Sequence, residues 1–154
     1  MKILFVCHGN ICRSPMAEYI MRDMCRKRGI TDVETASAAT STEELGNPVH
    51  RGTAGVLRRL GIDFSAKRAR QITLADYAEY DLLIGMDSAN IRNMTRYWGD
   101  KEHKIHKLLD FTEGKGEDVA DPWYTGNFEQ TYLDVKAGCE GLIEAVLRGD
   151  FGDN

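Results

Sequence analysis

Short apolar runs and segments with helical periodicity alternate along the whole chain. Apolar or β-branched runs predict strands at residues 2–6, 32–39, 81–86 and 104–109. Apolar positions three or four residues apart predict helices at residues 14–28, 48–60, 88–98 and 128–146, with a short helical turn at 73–77. The last helix has the clearest period: Phe128, Tyr132, Val135, Cys139, Leu142 and Val146. Strands that alternate with helices in this way are typical of a parallel sheet.

This alternation predicts an α/β fold. We expect a three-layer sandwich in which helices cover both faces of a four-stranded parallel sheet, with flavodoxin-like or Rossmann-like topology. The 154 residues are enough for one domain, which we expect to span residues 1–154. Ligands of such sheets bind at the carboxyl ends of the strands. We therefore expect a ligand site at the loop after the first strand, close to the polar loop at residues 110–126.

Two polar residues followed by proline mark predicted helix starts. Ser14 precedes Pro15 and Asn47 precedes Pro48. Serine and asparagine are favourable N-cap residues, and proline is common at the first helical position because its missing N–H is not needed there. The sequence therefore predicts that Ser14 and Asn47 cap the first two helices, which end near Gly29 and Gly61.

Composition and charge exclude several classes of partner. The 20 Lys and Arg against 24 Asp and Glu give a net charge of −4, which argues against nucleic-acid binding. No apolar run approaches the roughly 20 residues needed to cross a bilayer, so we expect no membrane segment. One lysine and five apolar residues before Cys7 do not form a signal peptide. These features predict a cytoplasmic protein.

The cysteines and histidines do not suggest a metal site. In a chain without export signals, four cysteines are expected to be reduced thiols. No CxxC pair is present, so the sequence predicts no structural zinc. His103 and His106 lie in a lysine-rich segment, and we interpret them as part of a solvated face rather than as metal ligands.

The segment between the first strand and the first helix contains the parts of an oxyanion site. Its sequence is Cys7-His8-Gly9-Asn10-Ile11-Cys12-Arg13-Ser14. Backbone N–H groups of such a loop, with a helix start behind them, bind anions, and Arg13 adds a bidentate grip on two oxygens. The same positive environment favours the nucleophilic thiolate of Cys7. A cysteine at a strand end is often a small buried hydrophobe, but the spacing to Arg13 and the strand–loop–helix context favour a nucleophile.

A candidate acid lies in the loop before the last helix, at Asp121-Pro122-Trp123-Tyr124. A thiolate that attacks a phosphoryl group must expel an alkoxide or phenolate, and a nearby acid should protonate that oxygen. Proline restricts the preceding aspartate to an extended or turn conformation, and the aromatic pair would line a pocket for a ring. An Asp-Pro turn with aromatics that cap the core explains the same residues. With Cys7 and Arg13 present, the general acid is the better hypothesis.

These motifs together resemble those of the low-molecular-weight protein tyrosine phosphatases, and the resemblance covers nearly the whole chain. It rests on the loop from Val6 to Ser14, on Ser37-Ala38-Ala39-Thr40, on Gly85-Met86-Asp87 and on Asp121-Pro122. It implies phosphotyrosine in proteins, or small aryl phosphates, as substrate, inorganic phosphate as product, and no metal or other cofactor.

The resemblance also implies a role for each matching residue. Cys7 would attack phosphorus and form a phosphocysteine, Arg13 would bind the phosphate, and Asp121 would act first as acid and then as base. The phosphate-binding residues would be His8, Gly9, Asn10, Ile11, Cys12, Arg13 and Ser14. Ser37 and Asp87 would support this loop, Ser14 would donate a hydrogen bond to the Cys7 thiolate, and Cys12 would form a reversible disulfide with Cys7. Glu43, Trp123 and Tyr124 would line the substrate pocket.

Two segments depart from the family pattern. Glu43 and Glu44 stand where many relatives have an aromatic residue, so one wall of the pocket would be acidic. Lys67 stands where the family usually has histidine, so the loop would be supported differently.

Four alternatives remain open at the level of sequence. Relatives that act on phosphoarginine tend to have threonine where this chain has Ile11, which favours tyrosine. An arsenate reductase needs a further cysteine pair, and no cysteine lies between Cys25 and Cys139. A non-hydrolytic phosphocysteine carrier has no use for Arg13 or Asp121, and the same residues argue against a silent anion-binding module.

Overall fold

Four parallel strands form the centre of the structure, a computed structural model that describes residues 1–152. The strands are β1 (Lys2–Cys7), β2 (Glu34–Ala39), β3 (Leu82–Gly85) and β4 (Ile105–Lys107), in the order β2-β1-β3-β4. The predicted α/β fold with a four-stranded parallel sheet is confirmed. Because β1 is central, Cys7 at its carboxyl end pairs with Ala39 of β2, and the preceding residue, Val6, pairs with Gly85 of β3.

Helices cover both faces of the sheet. They are α1 (Arg13–Lys27), α2 (Arg51–Arg59), α3 (Asp76–Glu79), α4 (Ser88–Trp98), α5 (Pro122–Thr125) and α6 (Phe128–Leu147). Ile3 and Phe5 of β1 face the core shared with α1, α2 and α6. Leu4 and Val6 face the other way, toward Met94 of α4. Each of these β1 side chains is fully buried, as expected for a strand covered on both sides.

The predicted caps of the first two helices are wrong. Helix α1 begins one residue earlier, with Cys12 as its N-cap, because the Ser14 hydroxyl points back to Cys7 and Asn10 instead. Helix α2 begins at Arg51, and its N-cap is His50, whose Nδ1 accepts a hydrogen bond from the Gly52 N–H at 3.0 Å. The Asn47-Pro48 segment is extended, and Pro48 forms a bridge with Arg68.

Three further elements differ from the prediction. The fourth strand is only three residues long, because the chain continues into a 3₁₀ helix at Leu108–Phe111. The loop at 110–126 contains α5, and the short helical turn lies later than predicted, at α3. His106 is not on a solvated face. Its ring packs against Phe111 and Phe151, and its Nε2 is buried without a hydrogen-bond partner among the described residues.

None of the helices in residues 1–152 has the length and apolarity that crossing a bilayer requires. The expectation of one domain over residues 1–154 stays a prediction, since Asp153 and Asn154 lie outside the described residues.

Candidate active site

The thiol of Cys7 lies beneath the loop that joins β1 to α1. Its side chain is buried, and its Sγ accepts a hydrogen bond from the Asn10 N–H at 3.3 Å and lies 3.0 Å from the Ser14 hydroxyl oxygen. Both groups can donate to a negative sulfur, and hydrogen bonds to a charged acceptor are the stronger ones. The Cys7 sulfur is therefore held in place by the loop that covers it.

Asn10 holds the loop in an uncommon backbone conformation. Its φ of 59° lies in the left-handed region, which is costly for most L residues but tolerated by asparagine. Its Nδ2 donates to the hydroxyls of Ser14 at 2.7 Å and Ser37 at 2.9 Å, and its Oδ1 accepts from the Arg70 N–H at 3.2 Å. These bonds support the role that the sequence predicted for Ser37.

Behind Ser37 lies a buried ion pair that the sequence analysis did not assign. The Ser37 hydroxyl donates to Glu18 Oε1 at 2.5 Å, and Lys67 Nζ donates to the Ser37 carbonyl at 2.9 Å and lies 3.6 Å from the same Glu18 oxygen. Burial lowers the pKa of Lys67, and the Glu18 carboxylate opposes that shift. Lys67, which replaces the expected histidine, thus still supports the loop from behind.

Arg13 is fixed at the start of α1 by acceptors from two other segments. Its guanidinium is almost fully buried, and Nη1 donates to Asp87 Oδ2 at 2.7 Å and to the Val119 carbonyl at 2.9 Å. Asp87 is itself fixed, because it is the N-cap of α4 in a capping box with Asn90. The guanidinium is therefore preorganised beside the loop before any anion binds.

Asp121 reaches the same guanidinium from the loop before α6. Its Oδ2 lies 3.4 Å from Arg13 Nη2, and its Oδ1 accepts from the Trp123 N–H at 3.1 Å. Asp121 is the N-cap of α5, with Pro122 at the first helical position. This cap orients one oxygen into the helix and leaves the other facing Arg13 and the cleft.

The lining of the cleft includes two aromatic and two acidic residues. Trp123 and Tyr124 are 59% and 84% exposed. Of the acidic pair, Glu43 has its Oε2 2.9 Å from the His8 Nε2, and Glu44 lines the same cleft. The two exposed rings leave the mouth of the cleft open to a large substrate.

His50 is a further residue that the sequence analysis missed. Its ring stacks on Phe128 with centroids 5.1 Å apart and meets the Trp123 ring edge-on at 5.8 Å. It thus links the start of α2 to the aromatic wall. No signal in the sequence singled it out, because Asn47 and Pro48 indicated an earlier start for α2.

Cys12 is unsuited to act as a second nucleophile in the reduced state. Burial, together with the nearby Cys7, raises the pKa of Cys12 to about 12. Its thiol is therefore uncharged at neutral pH.

The structure brings the site residues of the sequence analysis into one region. The cleft is lined by Cys7, His8, Gly9, Ile11, Cys12, Arg13, Glu43, Glu44, Asp121, Trp123 and Tyr124. Asn10, Ser14, Ser37 and Asp87 lie behind it as supports. Across residues 1–152, no three His, Cys, Asp or Glu side chains are grouped so that they could hold a metal ion.

Comparison with known proteins agrees with this geometry. The family model described as low molecular weight phosphotyrosine protein phosphatase matches residues 2–150. The chain is 44% identical over 149 residues to the low molecular weight protein-tyrosine-phosphatase YfkJ of Bacillus subtilis, covering 95% of this chain and 96% of that protein. It is 37% identical over 146 residues to PtpA of Staphylococcus epidermidis, with 95% and 94% covered.

Solved structures show the same fold. The crystal structure of Bacillus subtilis YfkJ superposes with a TM-score of 0.92 at 43% identity, over 96% of this chain and 95% of that one. The structure of DARP, a drosophila arginine phosphatase, superposes with a TM-score of 0.87 at 27% identity, over 95% of this chain and 98% of that one.

Proposed function

Because the chain belongs to the low-molecular-weight protein tyrosine phosphatase family, we propose that it hydrolyses phosphotyrosine in proteins and other aryl phosphate monoesters through a phosphocysteine on Cys7. The observation that supports this most directly is the position of the Cys7 sulfur. It lies under an anion-binding loop, within hydrogen-bond reach of Asn10 and Ser14, and the preorganised Arg13 guanidinium borders the same cleft.

In the first step, the Cys7 thiolate attacks phosphorus and the bond to the phenolic oxygen breaks. Arg13 and the loop N–H groups bind the equatorial oxygens, whose charge they stabilise in the transition state. Asp121 donates its proton to the departing phenolate and becomes a carboxylate beside Arg13. The products are a phenol and a phosphocysteine.

In the second step, water attacks the phosphocysteine and Asp121 accepts a proton from it. The sulfur leaves as a thiolate, which the Ser14 hydroxyl and the Asn10 N–H stabilise. Inorganic phosphate departs and the enzyme returns to its starting state. The protein's own groups supply every proton transfer in this scheme, so it requires no metal or cofactor.

The walls of the cleft support an aromatic substrate. Trp123 and Tyr124 offer faces for a phenol ring, and the apolar Ile11 side chain, 8% exposed, also lines the cleft. We further propose that residues 1–154 act as one domain and that the protein works in the cytoplasm. Four free cysteine thiols support the second point.

Steady-state hydrolysis of para-nitrophenyl phosphate, in EDTA and reductant, tests the proposal. We expect turnover in the wild type, none in Cys7→Ser, and a large loss in Asp121→Ala, which should also accumulate phosphocysteine detectable by intact mass. Wild-type protein without turnover would contradict the proposal.

Phosphoarginine is the alternative substrate. It is considered because DARP, a drosophila arginine phosphatase, has a similar structure. A guanidinium needs polar contacts, whereas Ile11 offers only apolar ones. We therefore expect a phosphotyrosine peptide to be hydrolysed with a much higher kcat/KM than a phosphoarginine peptide. The opposite order would support the alternative.

A further inference from the structure

Two carboxylates border the cleft in which the phosphoryl group of the substrate would bind. Glu43 and Glu44 line the same cleft as Cys7 and Arg13. They are part of the substrate cleft rather than a separate site. Their position is unexpected on electrostatic grounds, because a phosphate monoester carries negative charge and carboxylates repel it.

Both carboxylates are held in place by neighbouring residues. The Glu44 side chain packs over Gly9, so closely that a Cβ at that position would lie 3.3 Å from Glu44 Cγ. Its Oε2 accepts a hydrogen bond from Asn47 Nδ2 at 2.6 Å. Glu43 is held by His8, the residue that follows Cys7. The acidic wall is therefore fixed against the phosphate-binding loop.

Neither carboxylate is neutralised by a strong base. Among the described residues, Glu44 has no ion pair with a lysine or arginine, and the partner of Glu43 is His8, which is charged only when protonated. Arg13 already pairs with Asp87 and Asp121. Glu44 also lies close enough to the site that, after burial and nearer charges, its carboxylate adds a small contribution to the raised pKa of Cys12.

The aromatic residues that line the cleft also suit a cation. Trp123 and Tyr124 are largely exposed, and in the described structure neither ring has a lysine or arginine of the protein over its face. Arginine and lysine bind well between aromatic faces and carboxylates, through cation–π attraction and charge-assisted hydrogen bonds. A substrate with a positive charge beside the phosphoryl group could therefore contact both the aromatic and the acidic residues of the cleft.

We propose that Glu43 and Glu44 select phosphotyrosines that have an arginine or lysine next to them in the polypeptide. This inference rests on the proposed phosphatase function. Surface charges of this kind contribute modestly, so we expect a preference of about tenfold in kcat/KM for two flanking bases over two flanking acids at low salt. The preference should shrink at high salt, which screens exposed charges.

The test compares matched phosphotyrosine peptides that differ only in the two flanking residues, arginine in one and glutamate in the other. It measures the ratio of their kcat/KM values in the wild type and in the double variant Glu43→Gln/Glu44→Gln. Glutamine keeps the size of the side chain, so the ratio reports charge even if overall activity changes. The control is Glu140→Gln, an exposed residue of α6 that does not line the cleft.

We expect the ratio to fall to about one-third or less of its wild-type value in the double variant and to stay unchanged in the control. Equal rates for the two peptides, or a preference that is as large in the double variant as in the wild type, would overturn the inference while leaving turnover of para-nitrophenyl phosphate intact. Absence of that turnover would instead defeat the proposed function. Faster hydrolysis of phosphoarginine than of both peptides would overturn the inference as well, since the cation would then belong to the phosphorylated residue.

Discussion

Replacement of Asn10 removes the residue that shapes the loop between β1 and α1, and two variants separate its two contributions. Asn10→Gly removes the side-chain hydrogen bonds but tolerates the φ of 59°. Asn10→Ala removes the same bonds and also places a Cβ in the left-handed region. Comparison of the two therefore isolates the backbone cost from the hydrogen-bond cost.

The structure sets the size of each effect. The Asn10 side chain makes three hydrogen bonds, to Ser14, Ser37 and Arg70. At about 1 kcal/mol each, their loss should lower the free energy of unfolding by about 3 kcal/mol in Asn10→Gly. The left-handed conformation should cost Asn10→Ala about 1 kcal/mol more. Both losses are below the 5–15 kcal/mol of an ordinary domain, so both variants should fold.

Urea unfolding followed by far-ultraviolet circular dichroism measures these values. Asn93→Ala, at an exposed position of α4, is the matched control and should change the free energy of unfolding by less than about 0.5 kcal/mol. If Asn10→Ala is as stable as Asn10→Gly, the backbone part of the reasoning is wrong. If both variants lose less than about 1 kcal/mol, the three hydrogen bonds do not stabilise the fold as argued.

Three other predictions test the acid, a buried thiol and the packing of glycines. Asp121→Asn should lower kcat by about 100-fold for phenyl phosphate and by less for para-nitrophenyl phosphate, whose better leaving group needs less protonation; equal losses would refute the acid role. Burial raises the pKa of Cys12 from 9.0 to about 12. The uncharged thiol therefore stabilises the folded state fully below pH 9.0, and this stabilisation is lost as the pH rises toward 12. Urea titrations from pH 8 upward should therefore show that the free energy of unfolding falls more steeply with pH in the wild type than in Cys12→Ala. Parallel dependences on pH would contradict this prediction. Gly141→Ala, whose Cβ would lie 2.0 Å from the Phe111 carbonyl oxygen, should lower the free energy of unfolding by about 2 kcal/mol or more. Gly55→Ala has open space on α2 and should raise that free energy by about 0.5 kcal/mol; thermal melts of the two variants that shift in the same direction would contradict the packing argument.

The fold could be predicted because its determinants are local. The apolar runs and helical periods gave the order of elements, and that order restricts the topology of a parallel sheet. The helix starts were harder, since Ser14 and Asn47 are good caps in isolation. In the structure the Ser14 hydroxyl bonds to Asn10 and lies beside Cys7, and the Asn47 amide bonds to Glu44. A side chain with two possible partners takes the one that tertiary structure provides.

The site was predictable to the extent that it lies in one segment. Cys7 and Arg13 lie in one loop. Asp121 could be recognised because it precedes Pro122 in the loop before the last helix. Glu18 left a weaker signal, because it lies four residues after Ser14 and hence on the same face of α1. The Val119 carbonyl left none, since a backbone acceptor has no residue type to recognise.

The hydrogen bonds that shape the catalytic loop also determine when in folding the enzyme becomes active. Asn10 bonds to Ser37 and Arg70, which are 27 and 60 residues away, and Arg13 bonds to Val119, 106 residues away. Contacts of such separation form late, because each must close a long loop of chain. The helices, whose hydrogen bonds are local, will therefore be present in refolding protein that has no turnover. In a refolding experiment, the return of phosphatase activity should lag behind the return of the circular dichroism signal and should time the last step of assembly.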